Sequence, residues 1–114
     1  MNPNGVMDLL NLKQKELSDM TSKLFKFGEE KAIAEKIYRQ ELRKELLLLR
    51  SHKMPTTIIN NLAKGKEEIA ELRLKRDIAE SKYYTCLSAI ENKRLEIEVL
   101  RSKLTWLREE FYNS

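Results

Sequence analysis

From residue 69 to residue 111, apolar side chains recur at alternating intervals of three and four. The positions are Ile69, Leu72, Arg76, Ala79, Tyr83, Cys86, Ile90, Lys93, Ile97, Leu100, Leu104, Leu107 and Phe111. Eleven of these thirteen are apolar and their flanks are Lys, Arg and Glu, so the segment predicts one long helix with a narrow seam against another helix. An earlier stretch carries a comparable stripe. Leu10, Leu17, Met20, Leu24 and Phe27 fall at heptad-like intervals interrupted by Lys13, and Ala34, Tyr38, Leu42, Leu46 and Leu49 follow, mostly in steps of four. Steps of four drift from a left-handed supercoil seam, so this half should run straighter or widen its buried face.

The punctuation between the stripes is sparse. Asn2-Pro3-Asn4-Gly5 reads as a turn, placing the start of the first helix near Val6 with Asp8 in its first turn. Gly28 costs about 1 kcal/mol relative to Ala in a helix interior, and marks either a kink or a close helix contact in an otherwise continuous helix. Met54-Pro55 ends the helix by His52 or Lys53, because proline disfavours helical geometry in the residue before it. A short helix follows at 55–64, with one of Thr56 and Thr57 as N-cap, Ile58, Ile59 and Leu62 as its apolar face and Gly65 as its C-cap. Glu67 and Glu68 then open the second long helix. The expected fold is all-α: a single domain over 1–114, with helices at 6–51, 55–64 and 66–112. A connector this short folds the long helices into an antiparallel, coiled-coil-like hairpin. Stripes this narrow leave little core, so a partner or self-association into a four-helix dimer should complete the burial.

Composition narrows the function classes. The chain is 35% charged with three glycines and two prolines, which suits helices rather than a sheet with many turns. A single cysteine excludes an internal disulfide and fits a reducing cytoplasm. The N-terminus has no basic region leading into an apolar one, so no signal peptide is expected. The longest apolar run, Leu46 to Leu49, is far below the ~20 residues of a membrane span. One His and one Cys cannot build an N/S zinc site, and no metal or cofactor is expected. Cys86 lies on the seam, more as a small core residue than as a reactive thiol. Lys64-Gly65-Lys66 lacks the spacing of a phosphate loop, and His52 has no nucleophile beside it. An enzyme with a small-molecule substrate is not expected; a binding protein is.

Charge is distributed unevenly. Residues 1–42 are neutral and 77–114 carry −1, whereas 43–76 hold nine basic against four acidic residues, a net +5. A hairpin gathers these bases at its bend, where they form either a solvated helix end or a footprint for nucleic acid or an acidic protein surface. Arg50, Lys53, Lys64, Lys66 and Arg73 are the candidate contacts, with Ile58 and Ile59 as apolar anchors if the short helix packs only in part. No aromatic residue lies between Tyr38 and Tyr83, so base stacking is not available there. On the seam, Arg76 and Lys93 either snorkel outward or meet glutamates as a register device, a salt-bridged dimer being one form of the second. Leu104, Trp106, Leu107, Phe111 and Tyr112 form an aromatic-rich end that either packs on Leu9, Leu10 and Leu12 or serves a partner.

The stretches Met54-Pro55-Thr56-Thr57-Ile58-Ile59-Asn60-Asn61-Leu62-Ala63-Lys64-Gly65 and Glu71-Leu72-Arg73-Leu74-Lys75-Arg76-Asp77-Ile78-Ala79-Glu80 resemble small helical proteins encoded by phages and prophages of Gram-positive bacteria. The resemblance implies a bacterial cytoplasm and a non-catalytic accessory role near replication and recombination genes. On this reading the protein is an adaptor or regulator binding a phage or host protein of DNA metabolism or defence. A direct DNA-binding accessory protein and a structural oligomeriser are the alternatives.

Overall fold

Asn2 starts the first helix. Its side-chain Oδ1 accepts the Gly5 N–H at 2.8 Å and its carbonyl accepts the Val6 N–H at 3.2 Å. Pro3 occupies the first helical position, where its missing N–H and fixed φ cost nothing. The computed structural model describes residues 2–113 and contains three helices: α1 (Pro3–Ser51), α2 (Thr56–Gly65) and α3 (Glu67–Asn113). The turn expected at residues 2–5 is therefore the capped first turn of α1. Asp8 falls beyond that turn, which holds no acidic residue. Among the described residues no helix is long and apolar enough to cross a membrane.

The chain divides into two compact units, one of residues 1–25 with 84–114 and the other of residues 26–83. Within each, α1 and α3 pack antiparallel, the arrangement of a helical hairpin. In the first unit Met20, Glu16 and Lys13 meet Cys86, Lys93 and Glu96 in reverse order. In the second, Glu45, Glu35 and Gly28 likewise meet Lys66, Arg76 and Tyr83.

In the first unit Val6, Leu10, Ile97 and Leu104 form the buried core, and Met7, Leu17, Leu100 and Leu107 pack against it. Ile90 is buried and Cys86 half-buried, its thiol donating to the Met20 carbonyl at 3.6 Å. Lys93 interrupts the seam but is not stranded there. Its ammonium lies 2.8 Å from Glu16 and 3.5 Å from Glu96, and Lys13 bridges the same two acids at 3.8 and 3.2 Å. Phe111 continues the seam spacing, yet it is 67% exposed. The register carries the last turn of α3 past the start of α1, so Phe111 does not belong to the packed seam. Trp106 and Tyr112 are exposed as well, and of Leu9, Leu10 and Leu12 only Leu10 joins the core.

In the second unit Tyr38, Ile59, Ala63 and Ile69 are buried, with Leu72, Ala79 and Tyr83 half-buried. Arg76 is held from two sides: Asp77 lies 2.9 Å and Glu35 3.6 Å away, and its guanidinium stacks 4.5 Å from the Tyr38 ring centre. Both seam cations thus find their acids within the same chain. Helix α1 is continuous through Gly28, which is a point of close contact rather than a break. A Cβ there would sit 3.4 Å from Tyr83 Cε2, an ordinary van der Waals distance.

Two predictions follow from this packing. Gly28→Ala should raise stability by about 0.5–1 kcal/mol in urea unfolding, because the methyl fits and the glycine entropy cost disappears. Gly28→Leu should lower it, since a longer side chain must displace Tyr83. The second concerns pH. The hydrogen bond from Lys93 holds the Glu16 carboxylate below its ordinary value of 4.5, and the same bond raises Lys93 above 10.5. The acid's contribution is present above its unfolded pKa and is lost as pH falls through the lowered folded value. The lysine's contribution is present below 10.5 and is lost as pH rises through the raised value. The melting temperature should therefore fall on both sides, and Glu16→Gln should flatten both limbs.

Candidate partner-binding surface at the bend

The bend begins with a strained cap. At the end of α1 the Lys53 N–H donates to the Arg50 carbonyl at 3.0 Å and the Met54 N–H to the Leu49 carbonyl at 3.3 Å. That pair of bonds is a Schellman motif, which requires a left-handed residue at its turn, usually glycine. Lys53 fills it with φ 59°. A lysine in that conformation costs about 1–2 kcal/mol, so its presence where glycine would suit the backbone marks the position.

Pro55 is the N-cap of α2, and no side chain caps this end. Thr56 and Thr57 are exposed residues of the first turn, so neither is the cap expected of them. At the other end Gly65 is the last helical residue and does not take a positive φ. The chain turns instead at Lys66, which has extended geometry and donates its N–H to the Ala63 carbonyl at 3.3 Å. Helix α2 lies with Ile59 and Ala63 turned inward. Ile58 and Leu62 are left 41% and 44% exposed. Of the two expected apolar anchors, Ile58 is available, whereas Ile59 is 4% exposed and belongs to the packing.

The bases separate in the same way. Lys66 donates to Glu45 at 2.9 Å across the helices, and that hydrogen bond raises its pKa. Lys44 pairs with Glu41 at 3.0 Å and Arg76 is held on the seam. Arg50, Lys53, Lys64 and Arg73 are exposed and pair with no carboxylate among the described residues. The structure therefore leaves four of the five candidate cations open and turns the fifth into a helix staple. Sequence reading missed the acids that make this division, Glu45 and Glu35. Their roles depend on the antiparallel register, which spacing alone leaves open by a turn.

Elsewhere in this unit a shallow groove of about 210 Å³ is lined by Glu30, Ile33, Ala34, Ile37, Leu72 and Lys75. Its walls are aliphatic and its only charged groups are one carboxylate and one ammonium. Among the described residues no cluster of His, Cys, Asp and Glu could hold a metal ion. No family model, curated protein or solved structure matches this chain.

Lys53→Gly should relax the cap and raise stability by about 1 kcal/mol in denaturant unfolding. A loss of stability would show that the lysine side chain holds the bend in some way its contacts do not reveal.

Proposed function

We propose that this is a non-catalytic accessory protein, an adaptor or regulator that grips an acidic surface of a protein partner with its bend. The observation carrying this reading is the mixed character of the exposed surface. Open cations at Arg50, Lys53, Lys64 and Arg73 belong to the same unit as the exposed aliphatic pair Ile58 and Leu62, one turn apart on α2. Non-specific binding to phosphate backbones rests chiefly on charge, whereas an acidic protein surface offers apolar contacts as well. The sequence resemblance suggests phage or host proteins of DNA metabolism or defence as the partner class.

Direct DNA binding is the second reading, favoured by the net +5 of residues 43–76. The two differ in salt response, since each phosphate contact steepens the fall of affinity with salt concentration.

The deciding experiment is capture from host lysate with and without nuclease, comparing wild type with Lys64→Glu/Arg73→Glu and with Ile58→Ser/Leu62→Ser. Lys66 is left intact because its bond to Glu45 serves the fold. A discrete protein that survives nuclease and is lost with both variants supports the adaptor. Nuclease-sensitive capture that depends only on the charged pair supports DNA binding. Capture indifferent to both variants removes the bend from the function and leaves the structural oligomeriser.

A further inference from the structure

Helix α3 carries a second stripe on its back in the terminal unit. Ser88, Asn92, Leu95, Val99, Ser102 and Trp106 are spaced 4-3-4-3-4, and each follows a seam position by two residues. Two residues are about 200° around an α-helix, so the stripe faces away from α1. All six residues are exposed, with Leu95 at 65%, Val99 at 66% and Trp106 at 59%. None is charged, although 35% of the chain is. A solvated back face in so charged a helix has no need to exclude charge at every heptad position; a helix-binding face does.

We propose that this stripe pairs with the same stripe of a second copy of the chain, α3 beside α3, in parallel register. The residue types carry the assignment. Taking Asn92 as heptad position a makes Leu95 position d, Val99 the next a and Ser102 the next d. Leucine at d with a β-branched residue at a favours two parallel strands, and one asparagine at a sets their register by facing its own copy. The flanks are complementary in that register. Glu98 precedes Lys103 by five residues, the spacing at which position g of one helix reaches position e of its parallel neighbour, so two symmetric ion pairs form. Glu91 faces Glu96 of the second copy, but Glu96 is already neutralised by Lys13 at 3.2 Å and Lys93 at 3.5 Å. Among the described residues Glu98 pairs with Arg101 at 3.5 Å, a surface contact that leaves it able to turn outward. Serine at the d positions beside Leu95 makes the pairing weaker than the seam within one chain, and hence dependent on concentration.

The test is sedimentation equilibrium of the full chain over a wide concentration range. The expected result is a monomer–dimer equilibrium. Leu95→Lys/Val99→Lys should abolish it, with the helical circular dichroism unchanged because both side chains are exposed. Glu98→Lys and Lys103→Glu should each weaken the dimer at least severalfold, and the double reversal should restore it. Ser102→Cys fixes the orientation: in parallel register it lies beside its copy and oxidises to a covalent dimer that the wild type does not form. A chain monomeric at the highest concentrations, or a dimer indifferent to Leu95→Lys/Val99→Lys, overturns the proposal. A dimer lost in that variant but without the Ser102 crosslink overturns the parallel register.

Discussion

A cation placed on a helix seam packs there at least cost when an acid on the facing helix meets it. In each unit that condition is met once, and meeting it selects a register. Lys93 lies against Glu16 in one, and Arg76 reaches Glu35 while stacking on Tyr38 in the other. Sliding α3 by a turn would carry both cations away from these acids and forfeit both ion pairs. Apolar contacts between such stripes are nearly interchangeable from one turn to the next. The polar exceptions are what make one pairing better than its neighbours.

The same register accounts for the asymmetry at the bend. Once Lys66 is drawn to Glu45, the start of α3 is tied to α1, and α2 must fit into the remaining span. It does so by burying one side, Ile59 and Ala63, and leaving Ile58 and Leu62 outward. The tight exit from α1 is made by a left-handed residue at 53, where the sequence supplies lysine. Fold and surface therefore share a small set of residues, some closing the structure and others left facing solvent.

The hairpin could be read before any coordinates because 3-4 spacing, two long segments and one Pro-marked interruption admit few arrangements. Local chemistry was harder. Asn2-Pro3-Asn4-Gly5 has turn composition, but an Asn cap followed by proline is also a good helix start, and Val6 lies in the buried core. Gly65 looked like a left-handed cap, yet that geometry occurs at Lys53, where nothing in the residue type signals it. The exposure of the candidate bases could not be read either. Whether Lys66 or Lys64 meets a carboxylate depends on which turn of α1 lies opposite, a tertiary fact. Phe111 keeps its period yet is 67% exposed: spacing defines a face, but not how far the opposing helix extends.

Cys86 gives this architecture a built-in clock. Its thiol is half-buried on the α1–α3 contact and donates to the Met20 carbonyl, so local parting of the helices exposes it further and speeds its alkylation. Changes in its labelling rate between variants therefore follow changes in local opening at this point of the contact. The one cysteine thus marks a single point of the α1–α3 contact at which loosening of the packing can be followed in the folded protein, with no cysteine to be introduced.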